Sequence, residues 1–326
     1  MGRSLFKYHS VIGYTFIPNL KARVNHEGGG YLIQTNSDGF RCKHEFIKKK
    51  KKNTYRILFF GDSFTAGDGV SNEFRFSDLL ESDLKNTEIL NFGLSGTGVD
   101  QQYLIFRDFA SDLDYDLVVI SPMLENIRRN VVRFRPHVSH TGRNLFMQKP
   151  YYEINNIGEL DLNNVPVPKK SITLDQLPQN EKVNLYGNHN RLRLFMNKLG
   201  SKQKDIVQKI TKHEPLTSYD SSDNPDWVLM KAIIEKWISN IKTKIIICPL
   251  PIYHYVEELN SPNGYIERFY ELHKPPEVIF HNILPTLLKY STNEKRLFRF
   301  KNDAHPTKVG HKAYAKSLSR LIETLV

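Results

Sequence analysis

Short apolar runs that alternate with amphipathic helical patterns constrain the fold of this chain more than any other feature. The runs that predict buried strands lie at residues 55–60, 88–93, 116–122, 244–251 and 296–300. The helical patterns lie at residues 74–84, 99–113 and 226–241, and in the last part of the chain. Strands that alternate with helices form βαβ units, and these units build a parallel sheet. We therefore predict an α/β fold with a doubly wound, three-layer sheet of about five parallel strands.

Changes in composition divide the chain into three regions. They are an N-terminal extension at residues 1–54, a core at 55–130 and 225–326, and an insertion at 131–224. The extension carries turn signals, of which Asp38-Gly39 is the strongest. The insertion is rich in Asn, Lys, Arg and Pro and shows only a partly helical pattern at 190–200. A long irregular segment of this kind is typical of a lid or a substrate-binding region.

The formal net charge of +11 is partly local. Five lysines stand in succession before the first predicted strand: Lys48, Lys49, Lys50, Lys51 and Lys52. We interpret this run as a solvated linker. The alternative is a weak contact with an anionic membrane surface or another polyanion. Basic residues are not interleaved with aromatic residues in a nucleic-acid-binding pattern, so we expect no nucleic-acid partner.

Cysteine content and hydropathy favour a soluble, cytoplasmic protein. The only cysteines are Cys42 and Cys248, which argues against a disulfide framework and fits a reducing compartment. The sequence shows neither a signal-peptide pattern nor a run of about 18 apolar residues. The two cysteines lack metal-ligand spacing, and no cluster of His, Asp and Glu has it either, so we expect no metal and no other cofactor.

The stretch with the clearest chemical content directly follows the first predicted strand. There Gly61-Asp62-Ser63 ends an apolar run, and glycine returns at Gly67 and Gly69. The stretch lacks the lysine of a phosphate-binding P-loop and the spacing of a dinucleotide-binding fingerprint. It also lacks the glycine that follows the serine by two residues in the nucleophile elbow of α/β-hydrolases. It fits the pattern GDSxxxG, with a serine hydroxyl at the rim of a sheet.

Four short blocks, each at the end of a predicted strand, resemble the SGNH/GDSL hydrolase (esterase) superfamily. The blocks are Gly61-Asp62-Ser63 with Gly67, "NFGLSGTG" at 91–98, Glu125-Asn126-Ile127, and "NDAHPTKVGH" at 302–311. The stretch "TNSDGFR" at 35–41 also resembles extensions that precede this core in members from glycan-biosynthesis loci. The resemblance implies a flavodoxin-like strand order, with the site at the carboxyl ends of the strands.

The resemblance implies roles for five residues. Ser63 is expected to be the nucleophile, His305 the general base and Asp303 the carboxylate that orients the imidazole. The oxyanion hole is expected to consist of the backbone N–H groups of Ser63 and Gly96 and the side-chain amide of Asn126. These roles are chemically coherent, because a serine hydroxyl attacks only when a base removes its proton, and imidazole titrates near neutral pH.

Two of the blocks depart from the family pattern. In the third block, Glu125 replaces the usual glycine and Ile127 replaces the usual aspartate, which leaves the Asn126 amide but changes its surroundings. In the fourth block, Asn302 stands three residues before the histidine, where many members carry aspartate. Asp303, two residues before the histidine, is then the acid at hand. The alternative interpretations are a helix cap for Asp303 and a cap or turn residue for Asn126.

Other polar residues near these blocks have simpler interpretations. We expect His311 on the surface of the final helix. We interpret His254, which follows the fourth strand, as a packed or capping residue, with a place in the lining of the cleft as the alternative. A group of arginines after the third block favours a solvated basic helix, with binding of an anionic sugar or nucleotide-sugar phosphate as the alternative. The group consists of Arg128, Arg129, Arg133 and Arg135.

The sequence therefore predicts a serine esterase that hydrolyses an acyl ester, most simply an O-acetyl ester, on a small carbohydrate or glycan. One alternative is an O-acyltransferase, in which an acyl group on Ser63 passes to a sugar hydroxyl while water is excluded. A second alternative is a catalytically degenerate glycan-binding module, suggested by the altered third block and the acid spacing. A lipid-directed esterase is less favoured, since the chain shows no long apolar lid.

Overall fold

The computed structural model describes residues 5–138, 142–186, 206, 210 and 214–325. Its strands are β1 (Phe6–His9), β2 (Gly13–Phe16), β3 (Lys21–Val24), β4 (Tyr31–Gln34), β5 (Tyr55–Gly61), β6 (Thr87–Asn91), β7 (Leu117–Ser121), β8 (Phe134–Val138), β9 (Asn144–Gln148), β10 (Tyr151–Ile154), β11 (Leu160–Asn163), β12 (Ser171–Ile172), β13 (Lys244–Ile247) and β14 (Val278–Phe280). Its α-helices are α1 (Ser63–Ala66), α2 (Phe76–Asp83), α3 (Val99–Ile105), α4 (Asn126–Asn130), α5 (Gln179–Tyr186), α6 (Pro225–Ile238), α7 (Tyr253–Val256), α8 (Asn263–Tyr270), α9 (Leu284–Leu287), α10 (Thr292–Arg296) and α11 (Lys308–Ile322).

A central sheet of five strands has the order β14-β13-β7-β5-β6. Every neighbouring pair in this sheet is parallel. When the five strands are numbered along the chain, the strand order is that of flavodoxin-like folds. The predicted α/β fold class, with its five parallel strands, is therefore confirmed.

Helices cover both faces of this sheet. Phe59 and Phe60 are neighbours in β5, so their side chains point to opposite faces. The ring of Phe59 meets Phe76 of α2, with centroids 5.7 Å apart, and the ring of Phe60 meets Trp237 of α6, with centroids 5.2 Å apart. Helix α11 packs against α2, and α3 packs against α6. The molecule therefore has three layers with the apolar core on either side of the sheet.

The prediction of a fifth strand at residues 296–300 is wrong. Ser291 and Glu294 form a capping box that starts α10, and this helix extends to Arg296. Beyond it, Arg299 makes only an isolated bridge to Pro306. The fifth strand is β14, which pairs with β13. The local helix cap thus outweighs the apolar alternation that suggested a strand.

His311 is a second correction, because it does not lie on the surface. Its side chain is fully buried, and its Nδ1 accepts a hydrogen bond from the backbone N–H of Phe76 at 3.2 Å. The imidazole also stacks on the Phe76 ring. Burial, followed by the nearby charges of Arg75 and Arg41, lowers the pKa of His311 to about 3. The residue is thus a neutral part of the contact between α11 and α2.

The segment before β5 forms two antiparallel hairpins, β1–β2 and β3–β4. The predicted turn at Asp38-Gly39 follows them, and the Gly39 N–H donates to the carbonyl of Asn36 at 3.1 Å. Phe40, the next residue, is fully buried and contacts Phe92 of the core. The turn therefore places an aromatic side chain of the N-terminal segment in the core beside the sheet.

Arg41 fastens this N-terminal segment to the loop that follows α1. Its guanidinium is fully buried and donates to the carbonyls of Gly67 and Val70 at 2.8 and 2.7 Å. It also donates to Asn72 Oδ1 at 3.0 Å. Burial first, and the charge of Arg75 second, lower the pKa of Arg41 to about 10. The side chain stays charged at neutral pH and satisfies three oxygens at once.

The lysine run lies just before β5. Lys50 pairs with Asp116, and Lys48 approaches Asp112 to 3.6 Å. Within the described part of the chain, no helix is both long enough and apolar enough to span a membrane. The weak contact with an anionic membrane surface stays a prediction.

The region between residues 131 and 224 contains strands that the sequence analysis missed. Strands β8, β9 and β12 form a small antiparallel sheet, and β10 pairs with β11 as a hairpin. The strand β8 contains Pro136, which weakens a strand signal in sequence. The partly helical pattern predicted at 190–200 lies outside the described residues.

Replacement of Arg41 by methionine is expected to destabilise the fold by about 3 kcal/mol, because three buried oxygens lose their charged donor. The measurement is the free energy of unfolding from urea denaturation. The control is Lys21→Met on an exposed position of β3, which is expected to change that free energy by less than about 0.5 kcal/mol. Equal stability of the two variants would contradict this account of Arg41.

Candidate active site

The site is built at the carboxyl end of β5, where the strand passes directly into α1. Gly61 permits this tight passage, since a Cβ there would lie 2.1 Å from Thr65 Oγ1 and 2.8 Å from the Ser121 carbonyl oxygen. Asp62 caps α1 by accepting from the Phe64 N–H at 3.0 Å. Ser63 is therefore the first residue of a helix that starts at the carboxyl end of β5.

His305 and Asp303 reach Ser63 from the far end of the chain. The Ser63 hydroxyl lies 2.8 Å from His305 Nε2, and His305 Nδ1 lies 2.6 Å from Asp303 Oδ1. A carboxylate only accepts, so the network assigns the imidazole proton to Nδ1 and leaves Nε2 to accept from the serine. We call this arrangement the Ser63–His305–Asp303 chain. Its polarity is the one that general-base activation of a serine requires.

Electrostatics around the Ser63–His305–Asp303 chain raise the pKa of His305 and lower the pKa of Asp303. Burial alone would lower the pKa of His305, but the hydrogen bond to Asp303 and the charges of Asp68, Asp303 and Asp62 outweigh it and raise this pKa. Burial likewise opposes ionisation of Asp303, but hydrogen bonds to His305 and His26 hold its pKa well below the usual range. The imidazolium that would form during proton transfer is thus stabilised.

The two backbone N–H groups expected in the oxyanion hole are unbonded. Within the described residues, neither the Ser63 N–H nor the Gly96 N–H has a hydrogen-bond acceptor. Gly96 has φ +81°, and a Cβ at this position would lie 2.7 Å from Arg135 Nη2. The positive φ therefore disfavours any residue with a Cβ at position 96, and such a residue would also displace the end of the Arg135 side chain. Free N–H groups of this kind are what an oxyanion hole requires.

Asn126 lies deeper than the oxyanion role suggested. Its side chain is fully buried, its amide nitrogen donates to Asp62 Oδ2 at 2.8 Å, and its Oδ1 accepts from Gln102 Nε2 at 2.7 Å. Ser63 and His305 line the same small cleft, whereas Asn126 and Gly96 are outside its lining. The structure thus fixes the orientation of the Asn126 amide but does not bring it to the wall of the cleft.

The buried Asp62 carboxylate accepts hydrogen bonds from several segments, a role that the sequence analysis did not assign. Besides capping α1, its Oδ2 accepts from Asn126 and from Arg129 Nη1, the latter at 2.7 Å. Arg129 also donates to the carbonyl of Thr97 at 3.1 Å. One carboxylate therefore ties together the segments that follow β5, β6 and β7. Its place inside the GDS block was the available signal in the sequence.

The cleft beside Ser63 and His305 has a volume of about 130 Å³. Its polar lining includes Arg129, Glu125, Tyr253 and His254. Burial first, and then the charges of Arg299 and Arg128, lower the pKa of His254 to about 4, so this imidazole is neutral at pH 7. The structure places His254 in the wall of the cleft, which was the alternative to a packed or capping residue.

The two substitutions in the third block lie in different environments. Glu125 is exposed at the cleft, whereas Ile127 is fully buried in the apolar core. The arginines that follow this block also lie in different environments. Arg129 lines the cleft, Arg128 donates to the carbonyl of Pro215, and Arg133 pairs with Glu153.

The last of these arginines, Arg135, lies over the Tyr14 ring, 3.8 Å from its centroid. The structure therefore brings Arg129 alone of this group to the cleft.

Within the described part of the chain, no group of three or more His, Cys, Asp or Glu side chains is arranged to hold a metal ion.

No protein-family model and no curated protein matches this chain. Among solved structures, it is similar to the lipase Lip_vut3 from a goat rumen metagenome, at 13% identity over 82% of this chain and 97% of that chain, with a TM-score of 0.45. It is also similar to a G-D-S-L family lipolytic protein from Veillonella parvula, at 13% identity over 83% and 99% of the chains, with a TM-score of 0.43.

A third similar structure is the acetyl xylan esterase AlAXEase, at 14% identity over 82% of this chain and 99% of that chain, with a TM-score of 0.42. At such low identities and TM-scores, the function of this chain has to be inferred from its own residues.

The pKa of His305 is expected to lie above the ordinary histidine value of about 6.5. It is expected to fall in Asp303→Asn, because that change removes the charge and the carboxylate bond that stabilise the protonated ring. The measurement is NMR titration of the histidine ring resonances. The control is Asp112→Asn, a change of the same type on an exposed side chain. A wild-type midpoint below 6.5, or no change in Asp303→Asn, would contradict this account.

Proposed function

We propose that this protein is a serine esterase of the SGNH/GDSL type that removes an acyl group, most simply acetyl, from a carbohydrate. The observation that carries the proposal is the Ser63–His305–Asp303 chain, with distances of 2.8 and 2.6 Å between its partners. A hydroxyl that hydrogen-bonds to an imidazole, which a carboxylate in turn orients, is the arrangement that activates a serine as a nucleophile. A serine that served only to form a turn would not require it.

The first half of the proposed reaction transfers the acyl group to Ser63. The serine proton moves to His305 Nε2 while Oγ forms a bond to the acyl carbon, and the negative charge moves to the carbonyl oxygen. The Ser63 N–H, which lies at the cleft, is the first proposed donor to this oxyanion. The Gly96 N–H and the Asn126 amide, which lie outside the cleft lining, are the further proposed donors. When the intermediate collapses, the sugar oxygen leaves and takes the proton from His305.

The second half releases the acyl group to water. His305, neutral again, removes a proton from a water molecule, whose oxygen attacks the acyl carbon through the same oxyanion site. Collapse breaks the bond to Ser63 Oγ, and His305 returns the proton to the serine. In an O-acyltransferase a sugar hydroxyl would replace this water. The intact chain of hydrogen bonds favours either enzyme over a degenerate binding module.

The dimensions and polarity of the cleft support a short acyl group on a polar alcohol. The cleft volume of about 130 Å³ is below the range of about 300–1,000 Å³ that is common for larger ligands. Arg129, Glu125, Tyr253 and His254 offer hydrogen-bonding groups of the kind that sugar hydroxyls use. A long lipid chain has little room beside Ser63.

We also propose that the insertion, residues 131–224, contributes to substrate binding. Its described end approaches the cleft wall, since the Tyr255 hydroxyl in α7 donates to Glu214 Oε1 at 2.5 Å. Helix α7 carries the cleft residues Tyr253 and His254. The insertion is therefore connected to the part of the wall that would contact the alcohol portion of the ester.

The purified protein is expected to hydrolyse p-nitrophenyl acetate, and Ser63→Ala is expected to reduce kcat by about 10⁶-fold, because the nucleophile is lost. The measurement is the initial rate of p-nitrophenolate release. Ser82→Ala, on an exposed position of α2, serves as the control and is expected to keep the wild-type rate. A Ser63→Ala rate equal to that of wild type would refute the proposal.

The cleft volume predicts a preference for short acyl chains. Across p-nitrophenyl acetate, butyrate and octanoate, kcat/KM is expected to fall from acetate to octanoate by about 100-fold or more, since methylenes that do not fit are each worth about 1–3 kcal/mol. The same series with the Ser63→Ala variant measures the background. A maximum at octanoate would contradict the carbohydrate assignment and favour a lipid-directed esterase.

A further inference from the structure

A second histidine, His26, contacts the carboxylate at the end of the Ser63–His305–Asp303 chain. His26 belongs to the turn between β3 and β4, and its side chain is 15% exposed. Its Nε2 lies 3.0 Å from Asp303 Oδ2, whereas the other oxygen, Oδ1, bonds His305. The two imidazoles therefore bind different oxygens of the same carboxylate.

The hydrogen bonds of His26 define which ring nitrogen carries the proton. The Gly28 N–H donates to His26 Nδ1 at 3.2 Å, so Nδ1 is an acceptor and has no proton of its own. The proton of the neutral ring is then on Nε2, which faces the Asp303 carboxylate. His26 is therefore a donor to Asp303 without needing to be charged.

The turn that carries His26 also contacts residues just before Asp303 in the loop that carries Asp303 and His305. Glu27 accepts from the backbone N–H and the side-chain amide of Asn302, both at 2.9 Å. The His26 ring packs edge-on against Phe300, with centroids 4.4 Å apart. The contact between His26 and Asp303 is thus part of a defined interface between two loops that are distant in sequence.

The short spacing between Asp303 and His305 gives this second donor a physical role. Oδ1 of Asp303 accepts from both the backbone N–H of His305, at 3.1 Å, and the ring Nδ1. Both donors come from the same residue of the same loop, and the Asp303 side chain is 33% exposed. A third donor on Oδ2 prevents the carboxylate from rotating into water, because all three bonds form together in only one orientation.

Resting on the function proposed above, we propose that His26 is a positioning residue that holds the Asp303 carboxylate in the orientation His305 needs. The N-terminal segment thereby completes the active site from outside the α/β core. The charged groups that also face His305 are Asp62 and Asp68, and the Tyr31 ring packs on His26. Neither aspartate bonds the oxygen that His26 occupies.

Two variants separate the hydrogen bond from the packing of the ring. His26→Phe keeps an aromatic ring against Phe300 but removes the donor, whereas His26→Gln keeps an N–H donor at a similar reach. With p-nitrophenyl acetate, His26→Phe is expected to lower kcat by about tenfold or more with KM unchanged, since the bond acts on proton transfer and not on substrate binding. His26→Gln is expected to stay within about threefold of wild type.

The matched control is His44→Phe. His44 lies in the same N-terminal segment and bonds a carboxylate, Glu81, at 2.9 Å, but does not touch the Ser63–His305–Asp303 chain. It is expected to keep the wild-type kcat, and melting temperatures of all variants identify any loss of folding. Wild-type kcat in His26→Phe, or an equal loss in His26→Gln and His26→Phe, overturns the proposal.

A readout independent of turnover separates failure of this inference from failure of the esterase proposal. In ¹⁵N-histidine NMR spectra, His26→Phe is expected to shift the ring resonances of His305, and His44→Phe is expected to leave them in place. Absence of hydrolysis by wild-type protein sinks the esterase proposal alone. Unchanged His305 resonances in His26→Phe sink the role of His26, whatever the activity.

Discussion

A hydrogen bond of 2.8 Å between Ser63 and His305 joins two parts of the chain that are 242 residues apart, and the proposed chemistry depends on it. The parallel sheet places Ser63 at the carboxyl end of β5, and the loop between α10 and α11 brings His305 to it. The buried carboxylate of Asp62 then fixes the local geometry by binding the first turn of α1, Asn126 and Arg129. The position of Ser63 thus depends both on the sheet and on the hydrogen bonds of Asp62.

The N-terminal segment takes part in this geometry through buried polar contacts. Arg41 binds the carbonyl oxygens of Gly67 and Val70, just beyond α1, and His26 binds Asp303. The loop that follows Ser63 and the carboxylate that binds His305 are therefore both contacted by residues that precede the first core strand. Folding of the core and docking of this segment are consequently coupled at the site itself.

Residues with a local signature could be predicted from the sequence, and residues defined by tertiary contacts could not. The passage from β5 to α1 was predictable because an apolar run ends in Gly61-Asp62-Ser63. The fifth strand was misplaced because the capping box at Ser291 outweighs the alternation after it. His26 gave no signal, since it stands in a glycine-rich turn and meets Asp303 only in the folded chain.

The central claim is that Ser63 is a nucleophile activated by His305. Mass spectrometry after treatment with a fluorophosphonate, which phosphonylates activated serines, tests it most directly. We predict a single adduct that peptide mapping places on Ser63 in the wild-type protein, with labelling strongly slowed in His305→Ala. An unmodified Ser63 in folded wild-type protein, or equal labelling of the two proteins, would contradict the account.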